Sequence, residues 1–166
     1  MPNAHQSFRS GFTIIELLIS LVIIGLIFSV GFASFRSFAS RQAIEGATRE
    51  IKADLRLAQQ QAVAGKKPES EPACDSPETL DGYEVQRNGI QSYSIFAVCS
   101  GGDVEIKVVD FSEKYPTIQI ANFTPFMFRS LAQGVDNNRD ITVQEYDGPT
   151  VVDTRTIQIR TGGRID

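Results

Sequence analysis

Residues 10–30 read SGFTIIELLISLVIIGLIFSV, and one of them, Glu16, decides how the chain is to be understood. From Phe12 to Phe32 the run is apolar apart from Thr13, Glu16, Ser20 and Ser29. As a helix it would rise about 31 Å, enough to cross the hydrocarbon core of a bilayer. A carboxylate in such a helix costs on the order of 3 kcal/mol at the centre and less near the interface, and it usually marks a functional partner. A cleaved secretory signal leaves Glu16 unexplained, although Gly31-Phe32-Ala33 has the small-x-small pattern of a cleavage site: signal cores run about 7–15 residues and do not normally hold an acid. An uncleaved signal anchor leaves it unexplained too. Positive charge does not settle topology, because Arg9 precedes the run and Arg36 and Arg41 follow it.

The apolar run passes without a break into a second kind of helix. Ile44, Ala47, Ile51, Leu55, Ala58 and Ala62 recur every three or four residues, a single apolar stripe. Arg41, Glu45, Arg49, Glu50, Lys52, Asp54, Arg56, Gln59 and Gln60 occupy the other faces. No proline interrupts from Phe12 to Ala64, and Gly65 followed by Lys66-Lys67-Pro68 is a helix stop. The pattern therefore predicts one helix over residues 12–64, apolar all round in its first half and amphipathic in its second. The proline-containing stretch 66–81 reads as a loop.

From Gly82 the period changes to two. GYEVQRNG, YSIFAVCS, VEIKVVDF, TIQIANF, FMFRS, DITVQEYD and TRTIQIRT read as strands. Asn88-Gly89, Asp136-Asn137-Asn138 and Asp147-Gly148-Pro149 mark turns. Short successive strands suggest an antiparallel sheet, with the amphipathic half-helix as the face that covers it. The fold class expected is α+β.

The chain has 166 residues, a net charge of -4, no Trp, and one histidine, His5. Without a histidine in the body of the chain, Ser–His–Asp and Cys–His nucleophiles are excluded, and most catalytic zinc sites lose a ligand. No enzyme activity, cofactor or metal site is expected. The acidic loop Glu69–Asp81 lacks the spacing of an EF-hand. Cys74 and Cys99 do not have CxxC spacing; outside the cytoplasm they would form a disulfide, and inside it they would be two free thiols. Phe123, Phe126 and Phe128 are expected in the core.

The order Gly11-Phe12-Thr13-Ile14-Ile15-Glu16 closely resembles the cleavage motif of type IV prepilins and type II secretion pseudopilins. A short basic leader, the long apolar segment and a β-rich C-terminal part complete the likeness. The resemblance implies that a prepilin peptidase cuts after Gly11 and N-methylates Phe12, and that Glu16 pairs with the free amine of a neighbouring subunit's first residue. Cleavage would remove His5 and Arg9, taking the net charge from -4 to -5. It also implies the organisation: a leader over 1–11, a transmembrane and assembly helix over 12–33, its amphipathic continuation over 34–65, and a β-rich globular domain over 66–166. The chain would be a single-pass protein of the bacterial inner membrane, with its C-terminal domain in the periplasm or otherwise outside the membrane. It would then leave the lipid to join a pseudopilus or pilus through helix–helix packing with other pilins.

Within that class, "GYEV", "SIFAVCS", "ANFTPFMF" and "TRTIQIRTGGRID" resemble the GspH/FimT group of minor pseudopilins and minor pilins, which serve type II protein secretion or type IV pili. FimT-like proteins are associated with DNA binding during transformation through a C-terminal GRxR. Here the corresponding residues are Gly163-Arg164-Ile165-Asp166, so an acid replaces the second arginine. The alternative function is a DNA-binding minor pilin, with Arg155, Arg160 and Arg164 as its basic patch. A net-negative chain with few phosphate contacts makes DNA a weak partner.

Overall fold

The computed structural model describes residues 12–69, 71–131 and 134–166. It falls into two compact units that meet between Ala39 and Ser40. One helix, α1, runs over Ile14–Val63 and contributes to both. It is slightly shorter than the expected 12–64 because its two ends are capped.

At its start, the Thr13 hydroxyl accepts a hydrogen bond from the Glu16 amide at 3.3 Å. Thr13 is thus the N-cap and Glu16 stands three positions into the helix, the S/T-x-x-E order found at many helix starts. An acid there also lies at the positive end of the helix dipole. Every side chain from Phe12 to Ser29 is exposed, Ile14 to 88%. Among the described residues no helix is long and apolar enough to cross a membrane. The expected span of 12–33 is therefore not reproduced as such. Its last residues fall among 30–34, whose side chains lie outside the described ones, and Ile14–Ser29 alone is shorter than the roughly 20 residues a crossing requires. The leader, with Gly11, also lies outside the described residues.

In the second unit the stripe Ile44, Ala47, Ile51, Leu55, Ala58 and Ala62 is buried, each residue at most 2% exposed. The helix ends at Gly65, which takes φ +59°. The Gly65 amide donates to the Ala62 carbonyl at 2.9 Å and the Lys66 amide to the Gln61 carbonyl at 2.9 Å, the paired bonds of a Schellman cap. A side chain at Gly65 would be strained in that left-handed conformation.

Seven strands follow among the described residues: β1 Leu80–Arg87, β2 Ser92–Cys99, β3 Gly102–Asp110, β4 Ile118–Ile120, β5 Phe126–Arg129, β6 Arg139–Asp147 and β7 Thr150–Ile159. They match the seven alternating segments of the sequence. They do not form one sheet, however. Four make a sheet in the order β3-β2-β1-β5, and three make a second in the order β4-β6-β7, all pairs antiparallel. The Arg87 side chain donates to the Ile120 carbonyl at 3.0 Å and the Ile120 amide to the Ile90 carbonyl at 2.7 Å, joining the two sheets. The helix stripe and the inner faces of both sheets share one core, with Tyr83, Val85, Phe111, Phe128, Ile141 and Ile157 among its most buried members. Phe126 and Phe128 are buried in the core and Phe123 packs half-buried against it; the rings meet in series, tilted and then edge-on, with centroids 6.0 and 5.6 Å apart. The pieces of this α+β architecture are layered as apolar periodicity demands.

Candidate functional site

The chemistry-bearing residues fall into three places. The first is the start of α1. Phe12 is exposed and stands immediately before the N-cap, and Glu16 is exposed on the first turn. The helix start is built by Thr13, so Glu16 has a local reason to be present that the apolar pattern alone did not reveal. An acid here offsets the partial positive charge of the free amides of the first turn.

The second place is the loop side of the four-stranded sheet. Cys74 and Cys99 are joined in a disulfide, with Cα atoms 5.3 Å apart and both residues buried. The bond ties the segment after α1 to the end of β2. Nearby, the Ser100 amide donates to the Thr79 carbonyl at 2.9 Å, and the Ser100 hydroxyl bonds the Glu78 carboxylate.

The third place is the C-terminal end. Arg155, Arg160 and Arg164 are not brought together as a free basic patch. Arg155 donates to Asp153 at 2.7 Å, Arg164 to Asp166 at 2.6 Å, and Arg160 to the side-chain oxygen of Gln158. Each guanidinium is thus engaged two residues away along its own chain. Arg155 also has the strand parity of Ile157 and Ile159, which face the core, whereas Arg160 has the opposite parity and lies past the end of β7. The tail turns back so that the Arg160 amide donates to the Arg164 carbonyl at 2.9 Å, and Gln59 of α1 holds the Gly163 carbonyl at 2.7 Å.

One constellation escaped the sequence. Asp54, on the helix and only 7% exposed, accepts hydrogen bonds from the Tyr93 hydroxyl at 2.7 Å and from Lys107, whose Nζ lies 2.7 Å from both carboxylate oxygens. One turn earlier Glu50 accepts from Lys114 at 2.6 Å. One turn earlier again, Gly46 leaves room for the Tyr115 ring: a Cβ there would come within 2.8 Å of its hydroxyl. Positions 46, 50 and 54 therefore form a polar seam beside the apolar stripe. Burial, and then the hydrogen bond and charge of Asp54, push the Tyr93 phenol far above its usual range, so it remains a donor. A carboxylate this deep is held by a cation and a hydroxyl because a buried charge left alone is heavily penalised. The spacing of 53 residues between Asp54 and Lys107 leaves no periodic trace in the sequence. Among the described residues, no three His, Cys, Asp or Glu side chains gather as a metal site.

Residues 7–32 match the family described as the prokaryotic N-terminal methylation motif. That match supports a type IV prepilin-like protein. It is consistent with processing by a prepilin peptidase and assembly with other pilins. No curated protein and no solved structure matches the chain.

Proposed function

We propose that this chain is a minor pseudopilin or minor pilin of the GspH/FimT type, a structural subunit and not an enzyme. A prepilin peptidase cuts after Gly11 and methylates the new N-terminus at Phe12. The segment 12–33 holds the subunit in the bacterial inner membrane, single-pass, with the β-rich domain outside it. The subunit then passes into a type II secretion pseudopilus or a type IV pilus. The observation that carries the reading is the methylation motif over residues 7–32 with Glu16 in the first turn of α1.

The physical role of Glu16 follows from its position. Cleavage creates an ammonium at Phe12, one residue before the N-cap, at the end of a helix that already carries partial positive charge. The two like charges disfavour each other, and a carboxylate on the first turn offsets both. Between subunits the same carboxylate pairs with the neighbour's ammonium, and in a medium of low dielectric that attraction is strong. The apolar side chains of 12–29, exposed in the single chain, then lie against other helices instead of lipid.

The test is the mature mass and the fate of a variant. Cells with an active peptidase should yield a chain starting at methylated Phe12. Glu16→Ala should be cleaved and fail to enter the fibre; an intact Met1 terminus, or normal entry of the variant, would refute the reading. The bonded state of Arg155, Arg160 and Arg164 gives no support to the DNA-binding alternative, for which a gel shift of duplex DNA at low salt is the direct measurement.

A further inference from the structure

Apolar pattern alone would let α1 start anywhere near Phe12, because only Thr13 and Glu16 interrupt the apolar residues from Phe12 to Leu18. It starts at Ile14. One hydroxyl accounts for that. Thr13 Oγ1 accepts the Glu16 amide at 3.3 Å, and the Thr13 carbonyl accepts the Leu17 amide at 3.2 Å. These are the two marks of an N-cap: a side-chain acceptor for a first-turn N–H, and a carbonyl already in the helical ladder. Phe12 therefore stands outside the helix, and it is 79% exposed.

The other hydroxyls described in this half of the helix do not compete for that role. Ser20 donates to the Glu16 carbonyl at 2.8 Å and Ser29 to the Leu26 carbonyl at 2.9 Å. Both serve carbonyls inside the ladder and not amides at its start. Without an acceptor at position 13, the next residues upstream that cap well are Gly11 and Ser10. A helix started from either would take Phe12 into its first turn. In lipid a frayed end finds no water for its amides, so extension of the helix is favoured over fraying.

We infer that Thr13 is a positioning residue for the processing step: by fixing the start of α1 at Ile14 it keeps the Phe12 nitrogen outside the helix, where an enzyme can take the chain in extended form. The inference rests on the reading of the chain as a prepilin-type precursor, whose motif spans residues 7–32. In that reaction water adds across the peptide bond before Phe12. The C–N bond breaks, the Gly11 carbonyl carbon becomes a carboxylate, and the Phe12 nitrogen becomes a free amine. A peptide bond wound into a helical turn must open first, and an enzyme that takes only the open form binds more weakly in proportion to the closed fraction. Thr13 acts through the helix start and not on the reacting atoms.

The experiment uses the full unprocessed chain in phospholipid vesicles with a purified prepilin peptidase. Thr13→Val keeps the shape of the side chain and removes the acceptor; Thr13→Asn changes the shape and keeps a capping oxygen. Thr13→Val should raise KM by up to about fivefold, the effect of a typical cap, and leave kcat unchanged. Thr13→Asn should stay within about twofold of the parent chain. In the same samples the backbone carbon shifts of Phe12 should be helical in Thr13→Val and non-helical in the parent chain and in Thr13→Asn. An unchanged KM in Thr13→Val overturns the inference. So does an equal loss in Thr13→Asn, which would mean that the enzyme reads the threonine side chain itself, and so does a fall in kcat with KM unchanged, which would put Thr13 at the reacting bond. If the parent chain is not cut before Phe12, the reading as a precursor has failed and the inference falls with it; if it is cut and Thr13→Val is cut equally well, the role of Thr13 alone is wrong.

Discussion

The two halves of α1 are one helix by backbone and two materials by side chain. From Phe12 to Ser29 every side chain is exposed, and most are Ile, Leu, Val or Phe. From Ile44 to Ala62 the apolar residues are confined to a stripe, and that stripe is buried under two sheets. The hydrophobic effect contributes to the folded domain only where apolar surface leaves water within the chain. The first half therefore adds little to the stability of the domain, and its apolar surface stays outside the core of the domain. The second half does the reverse.

Matched truncations test that contrast most severely. Leu55→Ala, at a position with no exposure, should lower the stability of the domain by about 2–5 kcal/mol in denaturant unfolding. Leu18→Ala, at an exposed position of the first half, should stay within about 0.5 kcal/mol in the same measurement. Equal losses would break the distinction. Next in size is the disulfide. Replacing Cys74 and Cys99 by Ser opens a loop of sequence separation 25 and should cost about 3–4 kcal/mol, read as a lower denaturant midpoint, with the first half of the helix unaffected.

The polar seam should matter less than the apolar stripe next to it. Asp54→Ala leaves the buried Tyr93 hydroxyl without its acceptor, while Lys107 can still reach water; about 1–3 kcal/mol is expected from thermal or denaturant melts. A larger loss than that of Leu55→Ala would mean that the seam, not the stripe, holds the helix to the sheets. The smallest effect concerns Asp136. The two bonds from Arg129, at 2.8 and 2.9 Å, hold the Asp136 carboxyl below its usual value. A depressed carboxyl favours the folded state above the unfolded value near pH 3.9, and that contribution is lost as the pH falls through the folded value. Carboxyl NMR titration should show the Asp136 midpoint rising toward the ordinary range in Arg129→Gln.

What was legible in the sequence was what is local. The strands show as period-two segments because each alternates against a core, and Gly65 shows as a stop because capping is chemistry among neighbours. The motif around Gly11, Phe12 and Glu16 is equally local. The division into two sheets was not legible, since strand partners such as β1 and β5 are chosen across intervening segments. β3 shows the limit most clearly. Ile106 and Val108 look like core residues in "VEIKVVDF", yet they lie exposed on a bulged outer strand. The arginines mislead in the opposite direction: they look like a basic cluster until their acceptors, each two residues away, are seen. Asp54 with Tyr93 and Lys107 leaves no pattern at all, because only the folded chain brings the three together.

The bond from Gln59 to the Gly163 carbonyl spans 104 residues, and the apolar stripe beside Gln59 shares one core with residues of β6 and β7. This sets an order of events. The amphipathic half of the helix is made early but has no cover until those last strands arrive, and contacts between such distant segments form slowly. Until then the stripe is an exposed apolar surface. The folding rate of a chain built this way should be set by the arrival of β7 and not by the formation of the helix.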